Sequence, residues 1–422
     1  MPQSSNSLPT PAVRKDQPVH PNGRHVVGID IGCKRHAAAA CTRDGREFGR
    51  VIFCANDRHG VERLQTQLLL PLGGPPAVLI GLEATGHYWL PFHGELTRLG
   101  YQVVVINPLQ TRAKFRARLR KTATDKLDAR SIAEFVQQGK AHTARIPDTP
   151  THILRLTVRQ RWHYMALTSD LKRLALTYLD RLFPEFHHQF NSPLNATGRA
   201  LLHQLGLAPQ DLLAQPERVL EIASAASRRR VGKARVDELL EQARHSLGLV
   251  PLAATLVTQL RSVVHLIESL EIEVARLDEE LEKWVKQKQS PLVSMGLSAP
   301  IIATIHAESD PMSDFTHPWQ YAAYAGLDPS LSESGNMRSS HTPISKRGSP
   351  YLRHVLYLAA LSRYRQNRSF QALYQKSCRK GHHHTSALIV VAHKIARIIW
   401  RVLTDERPFR QTPPPSKKKG EN

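Results

Sequence analysis

Four acidic residues have the types and the spacing that metal-assisted phosphodiester chemistry requires. Asp30 ends the apolar run VGID, and Glu83 ends a second apolar run, AVLIGLE. Asp125 and Asp128 are three residues apart, which places both on one face of a helix that Thr124 is suited to cap. Hard divalent cations prefer oxygen ligands, and two Mg²⁺ ions about 4 Å apart activate the attacking oxygen and stabilise the leaving oxygen in such reactions. These four carboxylates are therefore the predicted catalytic residues and metal ligands.

Each acid taken alone has a simpler explanation, and one other type of site shares part of the pattern. An aspartate at the end of a strand often caps a turn, although an ionised carboxylate among buried residues is costly unless a cation compensates it. The run VGIDIG is also similar to the first phosphate loop of actin-like kinases and chaperone ATPases. Those proteins carry a second Asp-x-Gly loop and a glycine-rich adenosine site, and the sequence has no convincing version of either. The metal site is therefore preferred over a nucleotide site.

A strongly basic run directly precedes the last two acids. Residues 112–121, RAKFRARLRK, contain no acid, and their cationic side chains are Arg112, Lys114, Arg116, Arg118, Arg120 and Lys121. The whole chain has 58 Lys and Arg against 36 Asp and Glu in 422 residues, a formal net charge of +22. Such an excess favours nucleic acid as the partner, and we expect the run to hold a phosphate backbone beside the metals. A solvated charged face is the alternative, and the sequence leaves open whether the polymer is DNA, a guide RNA or their hybrid.

A serine-rich loop near the C-terminus is the second candidate for chemistry. The stretch 326–350, GLDPSLSESGNMRSSHTPISKRGSP, contains Ser330, Ser332, Ser334, Ser339 and Ser340. The cationic side chains nearest to it are Lys346, Arg347 and Arg353. A hydroxyl among cations can bind or attack a phosphate, and Gly335 beside Ser334 would let a bulky partner approach closely. A flexible polar loop without a catalytic role is the alternative.

The elements that must position these residues form an α/β region followed by helices. Short apolar runs predict five strands, and amphipathic patterns predict helices between them. The predicted strands are HVVGIDIG, HAAAACT, REFGRVIFCA, PPAVLIGLEA and QVVVINP, and the predicted helices cover residues 57–70 and YWLPFHGELTRLG. Three hairpin-like strands followed by alternating helix and strand predict a mixed sheet, with the order of elements found in RNase H-like nucleases.

The second half of the chain is predicted to be mainly helical, with a coiled-coil pattern in its middle. Residues 251–289 place apolar side chains at alternating steps of four and three. They are Leu256, Leu260, Val263, Ile267, Leu270, Val274, Leu277, Leu281 and Trp284. A weaker echo occurs at Leu167, Leu171, Leu174 and Tyr178. The pattern predicts a coiled coil within the chain or between chains, and a long core helix is the alternative.

Four motifs together resemble the DEDD transposases of bacterial insertion sequences. They are VGIDIG…H, GLEATGHYW, KTATDKLDA and YAGLDP…SG…ISKRG..YLR, and the resemblance extends from His25 to about residue 405. Those transposases are RNA-guided recombinases related to the Piv-type DNA invertases. The resemblance implies an α/β plus all-α chain with a RuvC-like N-terminal domain, a helical coiled-coil connector and a mainly helical C-terminal domain that carries a catalytic serine.

The same resemblance implies roles for particular residues. The acidic tetrad and the serine fall on Asp30, Glu83, Asp125, Asp128 and Ser334, with Ser330 and Ser332 as alternatives for the serine. The implied activity is excision and insertion of an insertion sequence through a covalent phosphoserine–DNA intermediate. The implied partners are Mg²⁺, with two ions per active site, DNA, a guide RNA and further copies of the chain in a dimer or tetramer. A metal-dependent RuvC-like nuclease or junction resolvase without serine chemistry is the alternative, and a catalytically silent nucleic-acid-binding protein is a third possibility.

The expected domain organisation and location follow from these patterns. The predicted boundaries are 1–24 for a disordered tail, 25–150 for the catalytic domain, 151–290 for the helical region, 291–405 for the serine-bearing domain and 406–422 for a basic disordered tail. The four cysteines form no C-x-x-C pair, which fits a reducing cytoplasm. The N-terminus has no apolar signal core and no run of about 18 apolar residues occurs, so we expect a bacterial cytoplasmic, nucleoid-associated protein without a membrane span.

Overall fold

The chain divides into two compact units, Met1–His152 and Ile153–Asn422. The structure is a computed structural model that describes residues 18–108, 110–111, 125–144, 146, 148–190, 192–329, 333–334, 337–338 and 343–410. Residues 112–124 lie outside the described residues, and so does most of each predicted terminal tail.

The first unit is built on a mixed five-stranded sheet. Its strands are β1 (His25–Asp30), β2 (Arg35–Cys41), β3 (Glu47–Ala55), β4 (Val78–Glu83) and β5 (Gln102–Ile106). Their order across the sheet is β3-β2-β1-β4-β5, with antiparallel pairing from β1 to β3 and parallel pairing from β1 through β4 to β5. The central strands are continuous apolar runs because both faces of the sheet are covered. The predicted mixed sheet and its five strands are confirmed.

Helices cover both faces of this sheet. They are α1 (Arg58–Leu64), α2 (Trp89–Arg98) and α3 (Asp125–Gln137), and a π-helical turn, Gln65–Leu69, extends α1 to complete the helix predicted for residues 57–70. Leu64 and Leu96 pack with Ile29 on one face. Ile132 and Val136 of α3 pack with other sheet residues on the opposite face. The sheet is therefore the middle layer of three.

The described parts of both predicted tails pack against the protein. Val19 is buried, and its backbone N–H donates to the carbonyl oxygen of Ala141 at 2.8 Å. The backbone N–H of Phe409 donates to Ser294 Oγ at 2.7 Å, and its ring stacks on Phe370. These contacts form because apolar side chains gain free energy from burial.

The second unit is mainly helical. Its helices are α4 (Thr149–Leu182), α5 (Ala196–Gln204), α6 (Pro209–Ala214), α7 (Pro216–Ala226), α8 (Lys233–Arg244), α9 (Ala253–Lys288), α10 (Ala299–Ser309), α11 (Pro318–Tyr324), α12 (Pro350–Arg363), α13 (Arg368–Arg379) and α14 (His384–Thr404). Two short strands, β6 (Glu333–Ser334) and β7 (Met337–Arg338), pair antiparallel between α11 and α12.

The two longest helices, α4 and α9, run antiparallel to each other. Arg161 of α4 pairs with Asp278, and Lys172, further along α4, pairs at 2.7 Å with Glu271, which lies earlier in α9. Of the nine residues in the pattern predicted on α9, six are buried, and Leu270, Val274 and Trp284 are half-buried. The sequence periodicity therefore identified the face of α9 that packs within the unit.

The echo predicted on α4 is not the face that this helix buries. Leu167 and Leu174 are 38% and 40% exposed, whereas Leu154, Val158, Arg161, Thr168, Ala175, Leu179 and Leu182 are buried. Arg161 is tolerated in the buried stripe because Asp278 pairs with it. The buried stripe contains the polar residues Arg161 and Thr168, so its apolar pattern is weaker in the sequence than the pattern of the exposed stripe.

Long helices join two apolar cores in this unit. One core gathers residues of α4 to α9, and the other gathers the ends of α4 and α9 with α10 to α14. The segment Val250–Lys288 is long and apolar enough to cross a membrane by length and composition. Its seam residues, including Leu260 and Leu281, are buried in these cores, and a core helix passes the same test.

Candidate active site

Two neighbouring strands bring the first two acids to one edge of the sheet. β1 and β4 are parallel, and Ile29 lies opposite Leu82 in their register. Asp30 and Glu83 are the next residues of the two strands, so both acids lie at the carboxyl ends of adjacent central strands. Both are only partly exposed, because the apolar residues before them anchor the strands in the core.

The helix that carries the other two acids crosses the sheet over a pair of glycines. Gly28 and Gly81 are register partners on β1 and β4. A Cβ on Gly28 would lie 2.3 Å from the carbonyl oxygen of Ala129, and a Cβ on Gly81 would lie 2.6 Å from Val136 Cγ2. Helix α3 can therefore approach the sheet only because neither strand has a side chain there.

The same glycines place the strand acids on the face that α3 covers. Residues two apart on a strand point to the same face. Asp30 follows Gly28 by two residues, and Glu83 follows Gly81 by two residues. Asp125 and Asp128 lie in the first turn of α3. The repeated Gly-x-acid pattern was the signal in the sequence that could have identified these glycines, and our sequence analysis missed it.

The negative charges of the other three acids act on Asp30. The pKa of Asp30 is raised to about 6, first by burial and then by the negative charges of Asp128, Glu83 and Asp125. A hydrogen bond from the backbone of Ile31 opposes this shift only in part. Burial and like charges both disfavour an ionised carboxylate, and a nearby cation reverses the preference. The group therefore has the charge of a cation site.

One cationic side chain already contacts this group. Arg35 Nη2 lies 3.7 Å from Asp125 Oδ2, and both side chains are more than half exposed. The Arg35 guanidinium also stacks over the ring of Phe53 at 4.8 Å. An exposed pair of this kind contributes little to stability, so Arg35 remains available to a phosphate oxygen beside the acids. Sequence analysis did not identify this residue.

A buried histidine fixes the turn that follows Asp30. The backbone N–H of Gly32 donates to His36 Nδ1 at 3.3 Å, and the His36 ring packs edge-on against Phe92. Burial lowers the pKa of His36, which keeps the ring neutral and Nδ1 able to accept. A Cβ on Gly32 would lie 2.4 Å from the carbonyl oxygen of Arg35, so this tight turn requires glycine.

The donor chemistry of the four acids fits a divalent metal ion. Carboxylate oxygens from two rigid strands and one helix are ligands that Mg²⁺ accepts together with water and substrate phosphate. Among the residues that the structure describes, however, no group of three or more acid, histidine or cysteine side chains lies close enough together to hold a metal ion. Four like charges repel one another without a cation, which the raised pKa of Asp30 reflects.

The structure describes only some of the residues that we expect to contact nucleic acid, and these differ in their exposure. The basic run, Arg112, Lys114, Arg116, Arg118, Arg120 and Lys121, lies outside the described residues. Lys346 and Arg347 are exposed at the base of the serine loop. Arg353 is half-buried and donates to the carbonyl oxygen of Ala325 at 3.3 Å, so it also supports the turn at Gly326.

The serine loop is closed at its base and contains a small hairpin. Backbone N–H groups of Ser345 and Lys346 donate to the carbonyl oxygens of Asp328 and Gly326 at 2.8 and 3.2 Å. Ser334 ends β6 and is the register partner of Met337 in β7. The serines at 330, 332, 339 and 340 lie outside the described residues. Sequence analysis expected a loop here and did not predict these two short strands.

The chain is similar to known proteins over both regions. A family of DEDD-type transposases, described as "Transposase", matches residues 27–184, which include all four acids. A second family, described as "Transposase IS116/IS110/IS902 family", matches residues 294–375, which include Ser334. The two matched regions together span more than half of the chain.

Two curated proteins are similar over most of their length. A "Probable family 20 transposase" from Pseudomonas aeruginosa is 24% identical over 348 residues, which cover 79% of this chain and 86% of that protein. The "Insertion element IS116 uncharacterized 44.8 kDa protein" from Streptomyces clavuligerus is 24% identical over 405 residues, which cover 92% and 96%.

Proposed function

This chain belongs to the IS116/IS110/IS902 family of transposases, and we propose that it cuts and rejoins DNA by phosphodiester transesterification. In this proposal Asp30, Glu83, Asp125 and Asp128 hold divalent metal, and Ser334 is the nucleophile. One observation carries it. Asp30 and Glu83 end the adjacent parallel strands β1 and β4, and the pKa of Asp30 is raised to about 6 by burial and by the charges of the other three carboxylates.

The four acids divide into rigid and adjustable ligands. Asp30 and Glu83 are fixed by buried strands, whereas Asp125 and Asp128 lie in the first turn of α3. Bound Mg²⁺, with two ions per site, supplies charge that activates the attacking oxygen and stabilises the leaving oxygen. Arg35 adds a positive charge that orients the phosphate.

The proposed serine step conserves the number of phosphate ester bonds. The Ser334 hydroxyl loses its proton as its oxygen bonds to phosphorus, and one P–O bond of the DNA breaks. The departing DNA oxygen leaves with the bonding electrons and takes up a proton. A DNA hydroxyl attacks the phosphoserine in the reverse sense and releases Ser334. The second matched family region, which contains Ser334, supports this role.

We also propose a guide RNA and a multimeric state. The net charge of +22 supports binding of more than one nucleic-acid strand. Base pairing with a guide would supply the sequence specificity that phosphate contacts lack. The basic run at 112–121 and the exposed Lys346 and Arg347 are the proposed backbone contacts. Exchange between two DNA sites favours a dimer or tetramer, and DNA substrates place the reaction in the bacterial cytoplasm at the nucleoid.

A metal-dependent nuclease without serine chemistry is the second candidate. The observation that favours it is that all four acids belong to the first unit, whereas Ser334 belongs to the second. A four-acid site does not need a protein nucleophile, because metal-activated water can attack the phosphate. The two candidates differ in whether the protein becomes bonded to DNA.

A trapping experiment separates these candidates. The chain is expressed with its flanking DNA and a target, the cells are lysed in denaturant, and DNA bonded to protein is isolated. Mass spectrometry of the attached peptide identifies the residue. We expect an adduct on Ser334 that is lost in Ser334→Ala and in Asp30→Asn and is kept in Ser298→Ala, which changes an exposed serine outside the loop whose side chain caps no helix.

Each other outcome has a defined meaning. An adduct on Ser332 or Ser330 retains the mechanism and moves the nucleophile. Metal-dependent nicking without an adduct, unchanged in Ser334→Ala, refutes the serine step and selects the nuclease. Unchanged activity in Asp30→Asn refutes the metal site.

A further inference from the structure

The second unit contains a surface cavity of about 1280 Å³, and none of the residues that line it belongs to the described part of the serine loop. One wall is a face of α14, and the start of α11 and Leu373 of α13 contribute others. Residues 407–410 close the remaining side. The cavity is larger than a typical small-molecule pocket, which has a volume of roughly 300–1,000 Å³.

The cavity is lined by cationic side chains. Lys394, Arg397 and Arg401 follow steps of three and four along α14, so they form one stripe that extends over about 10 Å. Arg407 and Arg410 add two more cations. Asp405 is the single carboxylate among the lining residues, and it pairs with Arg401 at 2.7 Å. The lining therefore has an excess of positive charge that suits a polyanion.

An exposed tryptophan lies beside this stripe. Trp319, in the first turn of α11, is 52% exposed. The Arg397 guanidinium stacks over its ring at 4.4 Å, and the His393 ring lies 4.9 Å from it. Nucleotide bases stack on exposed aromatic rings and on guanidinium planes. Trp319 and Arg397 together form such a platform.

Two hydrogen bonds, one buried and one exposed, hold residues that line the cavity. Trp400 is buried, and its Nε1–H donates to the carbonyl oxygen of Phe315 at 2.9 Å, which ties α14 to the segment before α11. Phe409 donates its backbone N–H to Ser294 Oγ and stacks on Phe370. The cationic stripe and the platform are therefore held in place before any ligand binds.

We propose that this cavity binds unpaired nucleotides, with the Lys394, Arg397 and Arg401 stripe on the phosphates and the Trp319–Arg397 platform under a base. The inference rests on the proposed function for the identity of the polymer. A duplex keeps both faces of each base stacked on its neighbours, so only unpaired bases reach Trp319. The C-terminal residues after 410 carry three consecutive lysines, and this charge disfavours them as the occupant.

The test measures binding in the full chain with Asp30→Asn, so that cutting does not interfere. Fluorescence anisotropy follows labelled single-stranded DNA, single-stranded RNA of the same sequence and duplex DNA, each of about 16 nucleotides. The double variant Lys394→Ala/Arg401→Ala removes charge, and Trp319→Ala removes stacking. Lys283→Ala/Lys286→Ala is the matched control, because both lysines are exposed on α9 and the same charge is lost.

We expect specific losses for single strands. The cavity double variant should lower the slope of log K against log salt by about 1.4, at about 0.7 per phosphate contact, and the control should not. Trp319→Ala should weaken single-strand binding by about tenfold with duplex binding unchanged, and Trp319→Phe should restore most of it. A larger loss for RNA assigns the cavity to the guide, and a larger loss for DNA assigns it to a displaced DNA strand.

Three results would overturn the inference. The first is an equal decrease in the slope of log K against log salt for the cavity variant and the control variant. The second is that Trp319→Ala weakens duplex binding as much as single-strand binding, and the third is that poly-glutamate competes for the chain as well as RNA does. Melting curves must show that each variant is folded, and Trp319→Phe serves as the second variant if Trp319→Ala is not. The adduct assay on the chain with intact Asp30 is independent. An adduct with unaltered binding refutes only the cavity, and altered binding without an adduct refutes only the serine step.

Discussion

Asp30 is a half-buried carboxyl group, and its pKa is raised to about 6 from 3.8 by burial and by the charges of three other carboxylates. The ionised form of this carboxyl group is disfavoured by its burial and by repulsion from the neighbouring negative charges. A divalent cation would compensate both effects. Glu83, Asp128 and Asp125 contribute to the shift. The charge of Asp30 therefore destabilises the folded protein above about pH 6, and the proposed metal ion would relieve this cost.

Asp30→Asn is expected to raise the melting temperature of the metal-free protein near pH 8. The carboxyl ionises at a lower pH in the unfolded state than in the folded state, so the unfolded state binds fewer protons between about pH 4 and about pH 6. Stability then falls as the pH rises through this window. Above about pH 6, the uncharged amide of Asp30→Asn avoids this loss of stability. Below about pH 4, where the carboxyl group is protonated in both states, the substitution should change stability little. Scanning fluorimetry above pH 6 and below pH 4 measures the difference in melting temperature.

The control for this prediction is Glu62→Gln, which neutralises an exposed acid of the same unit. It should leave the melting temperature unchanged at both pH values. Added Mg²⁺ should stabilise the wild type and not Asp30→Asn. Equal stabilisation of both by Mg²⁺ would contradict the assignment of Asp30 as a ligand.

Glu308 is a buried carboxylate with a structural role in the second unit. It is 1% exposed and accepts two hydrogen bonds from Arg159, at 2.7 and 2.9 Å. Arg155 lies 3.9 Å from the same carboxylate. The cluster ties α4 to α10, so it holds the long helix to the C-terminal core.

Glu308→Gln should destabilise the protein by roughly 3 kcal/mol, because removing one partner of a buried pair leaves the other charge uncompensated. Chemical denaturation measures the change. Asp170→Asn is the matched control, since Asp170 pairs with Arg173 on the exposed surface of α4 and such pairs contribute about 0–1 kcal/mol. Equal effects of the two changes would show that the buried cluster does not stabilise the contact between α4 and α10.

The contact between α3 and the sheet positions half of the acidic group. Gly28 and Gly81 lie side by side under the helix, and Asp125 and Asp128 lie in its first turn. The position of that turn is set by how closely the helix approaches β1 and β4. Packing against these two glycines therefore determines where the first turn of α3 places Asp125 and Asp128.

Gly28→Ala should destabilise the first unit by about 1–3 kcal/mol and reduce DNA cleavage further than the lost stability explains. The added Cβ meets backbone atoms of Ala129 and Ala133 at 2.3 Å, so α3 must shift. Gly81→Ala should be milder, since it meets the side chain of Val136 first. Melting curves and a cleavage assay measure the two effects.

Gly94→Ala is the control for the glycine prediction. A Cβ on Gly94 meets nothing within 4 Å, and the residue lies inside α2. Alanine favours a helix over glycine by up to about 1 kcal/mol, so this variant should be as stable as the wild type or more stable. A similar loss in Gly94→Ala and Gly28→Ala would show that close packing of α3 is not the cause.

The whole chain combines a large positive charge with an exposed apolar stripe on α4. Leu167 and Leu174 are 38% and 40% exposed, and Leu171 and Tyr178 continue the stripe half-buried. Contacts within the chain leave this stripe partly uncovered, and a second copy could cover it. Substitutions in this stripe therefore test whether it forms the interface of the expected dimer or tetramer.

Leu167→Glu/Leu174→Glu should shift the chain towards monomers in size-exclusion chromatography with light scattering. Both side chains are exposed enough that the fold should tolerate the charge, whereas a helix–helix seam should not. Leu247→Glu is the control, because Leu247 is 84% exposed outside the stripe. An unchanged mass distribution in the double variant would exclude the stripe as the interface.

The sequence alone determined the five strands of the sheet and the buried face of α9, and it selected the four acids proposed as the site. Apolar runs specified the five strands, and the four-three pattern specified the buried face of α9, because burial imposes its period directly on the residue types. The acids at Asp30, Glu83, Asp125 and Asp128 could be selected because each follows or begins such an element.

Only the tertiary structure decided which residues meet across the chain. The parallel pairing of β1 with β4, the approach of α3 over Gly28 and Gly81, and the contact of Arg35 with Asp125 join residues far apart in sequence. The stripe that α4 buries and the Trp319–Arg397 platform are decided in the same way. The periodicity of apolar residues within a segment indicates which of its faces is buried. The segments that pack against that face depend on contacts between distant parts of the chain, and these contacts leave no periodic pattern in the sequence.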